Sequence, residues 1–333
     1  MTAPSQPSSS IIGEVIGNIR IERKLGAGGM GAVFLGTHLQ LRERVAVKIL
    51  NAVPPPPKQF IERFFREARA LARLQHKNIV HVYEVAEQTP YYFIVMEYIN
   101  AESLETYVRR MGRLKIGLAL RIIRDVADAM SYAHARNILH RDLKPDNILY
   151  DAHQRLAKVI DFGLVKFEET AESQALTKDG QIMGTPMYMA PEQAEGRQAD
   201  FRTDVYSLGA IGFFILTGEF PFLGRSGMDV LLQKIRVGPR DLKGLRPEIP
   251  QPVADLINRM MSRDPDRRFK TMDRVRDILN QAIKPDLASH SAAEGVTSSS
   301  GSGESIDAAA VRRRLDSSGM IPSAQRPGRP RIV

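Results

Sequence analysis

The chain contains no cysteine, which removes disulfides and thiolate metal sites and excludes a small secreted scaffold stapled by Cys pairs. It also lacks an apolar run long enough to cross a bilayer, because the longest, near Gly209 to Leu216, falls far short of the roughly 20 residues needed. Met1 to Ser10 is polar and carries no basic-then-apolar leader pattern. These absences predict a cytoplasmic protein with no transmembrane segment. No internal repeat is present. What remains is ordinary for a soluble globular protein: 333 residues, 43% apolar and 26% charged, enough for one large or two ordinary domains. Lys plus Arg exceed Asp plus Glu by 9, which permits acidic partners. The basic residues, however, alternate with Glu62 and Glu67 along segments such as Lys58 to Lys77, with no repeated aromatic stacking pattern, so no sequence-specific nucleic-acid binding is expected.

The most specific stretch is His140-Arg141-Asp142-Leu143-Lys144-Pro145-Asp146-Asn147. It sets a carboxylate and a carboxamide five residues apart in a loop that Pro145 helps to constrain. Asp142 can accept a proton from an attacking hydroxyl, and Asn147 offers a neutral oxygen to a Mg²⁺ that bridges nucleotide phosphates. The octapeptide resembles the catalytic loop of eukaryotic-like serine/threonine protein kinases, Lys144 being the mark of the Ser/Thr branch. The resemblance implies an α+β, two-lobed protein-kinase fold: a small five-stranded β lobe with one main helix (18–97), a hinge (97–101) and a larger, mainly helical lobe (102–283).

The other parts follow in the expected order. Residues 1–17, rich in Ser and Pro, are expected as a disordered lead-in. From Ile19 an alternating strand runs into Gly26-Ala27-Gly28-Gly29-Met30-Gly31-Ala32-Val33. A dinucleotide-binding turn would open a helix here, whereas Val33-Phe34-Leu35 continues as a strand, which favours a hairpin lid over ATP with Val33 against the adenine. Lys48 lies in the third strand, where an ammonium can reach the α and β phosphates if an acidic partner holds it. Glu67 and Glu62, on the helix expected over Gln59 to Leu74, compete for that place, and the resemblance selects Glu67, the residue before Ala68. It also makes Met96 the residue at the back of the adenine pocket, assigns adenine hydrogen bonds to the backbone of Glu97 to Ile99, and adds Leu25, Ala46 and Leu149 to the nucleotide contacts.

Ala157 to Ile160 should deliver Asp161-Phe162-Gly163 from a short strand, Asp161 chelating Mg²⁺ (or Mn²⁺) and Gly163 letting the chain swing. A polar stretch with Thr170, Ser173 and Thr177 leads to Gly184-Thr185-Pro186-Met187-Tyr188-Met189-Ala190-Pro191-Glu192, which resembles an activation segment closed by its Ala-Pro-Glu anchor. By resemblance Thr185 bonds Asp142 and Lys144, Asp204 ties down the catalytic-loop backbone, and Arg268 pairs with Glu192. Arg141 and Lys166 supply cations that a phosphate could neutralise, so autophosphorylation is expected at Thr177, with self-association as its route. Residues 284–333, rich in Ser, Gly and Arg, are expected as a disordered tail. The implied function is transfer of the γ-phosphoryl of ATP to Ser or Thr of protein substrates. Two rivals are a pseudokinase scaffold, which typically loses Lys48, Asp142 or Asp161, and a small-molecule phosphotransferase, against which Thr185, Lys144 and the Ala-Pro-Glu anchor argue.

Overall fold

Alternation of apolar and polar residues from Ile19 builds the first long strand. The computed structural model describes residues 11–28, 31–50, 58–162 and 186–290. β1 (Val15–Ile16), β2 (Ile19–Gly28), β3 (Gly31–His38), β4 (Glu43–Leu50), β5 (Val82–Gln88) and β6 (Tyr91–Glu97) form one antiparallel sheet in the order β1-β2-β3-β4-β6-β5. The glycine-rich run is a hairpin, with Gly28 opposite Gly31. Gly31 has to be glycine, since a Cβ there would stand 2.1 Å from the carbonyl oxygen of Ile49. The sheet has six strands where five were expected, because Val15 and Ile16 turn back on β2 within the stretch assigned to the lead-in. Ile11 and Ile16 are buried with Ile19, Ile21 and Phe34. Two isoleucines in a Ser- and Pro-rich composition anchor what the average composition hides.

The two faces of the sheet are used differently. Val45, Val47 and Ile49 of β4 pack into the outer cluster with Phe93 and Val95. Ala46 and Leu50 face the other way, into the main core with Phe64, Ala68 and Leu71 of α1 (Lys58–Leu71). Side chains alternate along a strand, so Lys48, between Val47 and Ile49, shares the face of Ala46 and Leu50.

The larger lobe is built from α2 (Leu104–Met111), α3 (Ile116–His134), α4 (Pro191–Ala194), α5 (Phe201–Thr217), α6 (Gly227–Arg236), α7 (Leu242–Leu245), α8 (Gln251–Met260) and α9 (Met272–His290). The long apolar stretch of the sequence is the interior of α5, where every residue from Thr203 to Leu216 is buried. None of the described helices is long and apolar enough to cross a membrane. α5 starts on Asp200, whose side chain accepts from the Arg202 amide, and stops at Gly218 in the left-handed region (φ 75°). α9 runs to His290, past the boundary expected at 283. β7 (Glu102–Ser103), β8 (Ile148–Asp151) and β9 (Leu156–Val159) make a small sheet below the hinge. Its last strand is joined to the upper lobe: Val80 donates to the Val159 carbonyl (2.9 Å), Val159 donates to that of Asn78 (2.8 Å), and the Asn78 amide donates to that of Ala157 (2.7 Å).

α5 and α8 approach closely at Gly209, where a Cβ would lie 2.8 Å from Met260 Cβ and 2.9 Å from Met261 Cγ. Gly209→Val should therefore lower stability by about 1–3 kcal/mol through overpacking, read as a lower urea midpoint. Gly26→Ala, whose Cβ meets nothing within 4 Å, should leave the midpoint near that of the parent protein.

Candidate active site

The loop between α3 and β8 has few apolar anchors, and its shape depends on a buried carboxylate. Asp204, fully buried in the first turn of α5, accepts from the amides of His140 and Arg141, both at 2.9 Å, and lies 2.8 Å from His134 Nε2. Burial would raise the Asp204 carboxyl, but the hydrogen bonds it accepts from His134 and from the His140 amide hold it below the usual range. The second captured amide is that of Arg141, whose φ of 61° lies in the left-handed region, so the carboxylate offsets a backbone conformation that a non-glycine residue adopts at a cost. His140 sits wholly inside. Its Nε2 donates to the Ile160 carbonyl (3.1 Å), its Nδ1 accepts from the Asp142 amide (3.3 Å), and its ring stacks on Phe162. Burial lowers its pKa, which keeps the imidazole neutral in the tautomer this pattern requires.

This bracing brings the chemistry together. The Lys144 ammonium stands 3.3 Å from Asp142 Oδ2. Asn147 closes the 3₁₀ turn begun by Pro145, and its Nδ2 donates to the Asp142 carbonyl (2.9 Å). Ile160 donates to the Asn147 carbonyl (2.9 Å), which sets the next residue, Asp161, beside Asn147. Asp161 also has positive φ (49°) and lies 2.7 Å from the Lys48 ammonium, across 113 residues of sequence. With the nitrogen of the Asn147 amide engaged, its oxygen and the Asp161 carboxylate are neighbouring hard donors of the type Mg²⁺ takes together with phosphate and water. Glu67 lies on α1, but its side chain is outside the described residues; the partner the structure gives Lys48 is Asp161.

On the small-lobe sheet, Val33 lies opposite Lys48 on the neighbouring strand and Ala46 opposite Met96. Met96 is buried and lines a small apolar cavity with Leu71, Ile79, Val82, Ile94 and Phe162. Leu25, Gly26 and Ala27 are exposed on the hairpin, and Ile99 and Leu149 are half-buried. The Glu97 amide donates to the His81 carbonyl (2.9 Å), so a hydrogen bond between the Glu97 backbone and adenine falls to its carbonyl. Its carboxylate bonds Lys158 of β9 (2.5 Å), a contact between the lobes that no local sequence signal announced.

Gly29, Met30, Lys166, Thr170, Ser173, Thr177 and Thr185 lie outside the described residues. From Pro186 the chain is described again. Glu192 makes two 2.7 Å bonds with Arg268, both side chains being almost fully buried, and accepts from Thr203 Oγ1 (2.9 Å). Burial pushes the Glu192 carboxyl up, and the guanidinium more than reverses it. Sequence reasoning missed Gln193, whose amide accepts from Ala190 N and donates to the Arg141 carbonyl, both at 3.0 Å, joining this anchor to the loop bearing Asp142.

The family described as "Protein kinase domain" matches residues 19–281. The serine/threonine-protein kinase PrkC of Bacillus subtilis is 36% identical over 277 residues, covering 83% of this chain and 42% of PrkC. The serine/threonine-protein kinase Pkn1 of Myxococcus xanthus is 36% identical over 276 residues, covering 82% of this chain and 39% of its own length. The chain thus spans about two fifths of these relatives. The crystal structure of the Mycobacterium tuberculosis PknI kinase domain is similar with a TM-score of 0.64 at 27% identity, covering 81% of this chain and 98% of that domain.

Asp204→Asn puts an amide NH₂ where an N–H now donates and should cost about 3 kcal/mol, measured by urea unfolding. The histidines give a pH dependence. His140, His38 and His76 all have folded pKa values lowered by burial. Above about pH 6.5 folded and unfolded chains are equally deprotonated at these sites; below it the unfolded chain takes protons that the folded one resists, so stability falls as pH drops. Unfolding free energies measured between pH 7.5 and 5.5 should decline, with a shallower slope in His140→Gln.

Proposed function

The chain belongs to the protein kinase family, and from that premise we propose that it is an ATP-dependent serine/threonine protein kinase acting on Ser and Thr of protein substrates. The observation that carries the reading is the convergence of Asp142, Lys144, Asn147, Asp161 and Lys48, supplied by separate segments, around one position. In this reading ATP lies between the glycine hairpin and the hinge, its adenine bordered by Val33, Ala46, Met96 and Leu149. The Lys48 ammonium binds phosphate oxygens, with Glu67 on α1 as its proposed second carboxylate partner. Mg²⁺ or Mn²⁺ bound by Asp161 and Asn147 would neutralise phosphate charge.

Asp142 aligns the acceptor hydroxyl and takes its proton. As the acceptor oxygen forms its bond to the γ-phosphorus, the bond to the β–γ bridging oxygen breaks and ADP leaves. Lys144 lies close enough to Asp142 to place positive charge beside the transferring group. Little covalent chemistry is asked of the protein, and positioning supplies most of the effect. Thr185 is proposed as a further ligand of Asp142 and Lys144. Thr177 is proposed as the site of autophosphorylation, through self-association, with Arg141 and Lys166 as phosphate-binding cations. The domain is proposed to work in the cytoplasm, where ATP is supplied.

Incubation with ATP and Mg²⁺ and a Ser/Thr-containing protein should give phosphoserine or phosphothreonine by mass spectrometry. Asp142→Asn should reduce the rate by about 10²- to 10⁴-fold while ATP binding stays close to that of the parent protein; turnover within about threefold of the parent would remove Asp142 from the role of base.

A further inference from the structure

Lys234, on α6, is a lysine where a helix facing a core would ordinarily carry leucine. It is 1% exposed. Its ammonium donates to the carbonyls of Met187 (2.8 Å) and Met189 (2.7 Å) and stands 5.1 and 5.0 Å from the rings of Tyr206 and Phe222. Burial holds its pKa well below that of a free lysine, and Glu192 opposes this only through longer-range attraction. Burying an ammonium is unfavourable unless its donors are used, and a methionine or leucine would pack in such a place without that penalty. Fold stability alone therefore does not account for lysine here.

What the lysine holds is a short stretch that leads into the residues tied to the loop carrying Asp142. The carbonyls of Met187 and Met189 turn towards α6, and the intervening carbonyl of Tyr188 accepts from Ser207 Oγ (2.9 Å) on α5. The Tyr188 hydroxyl reaches Glu105 (3.3 Å). Immediately downstream, Gln193 joins Ala190 to the carbonyl of Arg141, the residue before Asp142. Three successive carbonyls are thus held from below while the same stretch is tied sideways to the catalytic loop. Met187 packs in part against the main core and Met189 is half-buried, so neither side chain is wholly enclosed.

We propose that Lys234 is a positioning residue for the protein substrate: by fixing the backbone of residues 187–189 it makes a rigid shelf for the residues flanking the acceptor hydroxyl and keeps that hydroxyl in register with Asp142. This rests on the kinase reading above and adds to it a determinant of substrate binding that touches neither ATP nor substrate. Lys234→Met keeps the length and removes the donors. Loss of two charge-assisted bonds should raise the KM for a protein substrate about tenfold or more, while the KM for ATP and the slow hydrolysis of ATP by water stay within about twofold. Lys234→Gln, which keeps an NH₂ donor, should fall between, and it carries the same comparison if the methionine variant does not fold. The proposal is overturned if ATP hydrolysis and protein phosphorylation fall together in the variant that folds, or if the KM for the protein substrate is unchanged. A parent protein that hydrolyses ATP and phosphorylates no protein overturns the kinase reading and this proposal together, whereas an unchanged KM in an active kinase overturns this one alone.

Discussion

The carboxylate of Asp204 is the contact on which the active-site geometry depends. It is anchored in a helix buried on all sides, and it spends its lone pairs on two consecutive amides of a loop that could not otherwise hold its shape. From those amides the order passes outward. Arg141 is held in a left-handed conformation, His140 bridges to Ile160, and Asp161 and Asp142 inherit their places. A buried anion of this kind is stabilised only when its partners are complete, and here the completeness is what converts a helix end into a fixed catalytic loop.

The second buried charge pair does comparable work at a distance. Every donor of the Arg268 guanidinium is used: two on Glu192 and three on the carbonyls of Ser262, Arg202 and Arg263. Such a fork satisfies a buried arginine without leaving charge uncompensated. It pins the short helix after Ala190 to the base of the large lobe, so the stretch held by Lys234 is fixed at its far end as well. Two cations, one pairing with a carboxylate and one only with carbonyls and ring faces, thus bound the same segment.

Fold and family were legible because the motifs stand in order on the right elements, with a strand rather than a helix after the glycines and Asp161 a fixed distance beyond Asp142. The direction of Lys48 was legible too, from the parity of β4. Contacts across long separations were not. Nothing near Lys48 in sequence points to Asp161, and nothing near Glu97 points to Lys158; the fold, not a local pattern, makes these pairs. The extra strand β1 was missed because composition is an average over a window, while a strand needs only one or two well-placed isoleucines against an existing sheet. Lys234 was not singled out, because in sequence nothing marks it off from the other lysines and only its burial does.

Among the described residues, two sets of links join the lobes beside the hinge. Val80 and Asn78 join β9, and Glu97 joins Lys158 three residues before Asp161. The described residues of the glycine hairpin are joined to the sheet through β2 and β3. These hydrogen bonds and the ion pair hold the two lobes together along the strand that leads to Asp161. A molecule entering the cleft thus meets an inner end whose shape is already set, because Met96 and Phe162 are buried in the same core that these links hold.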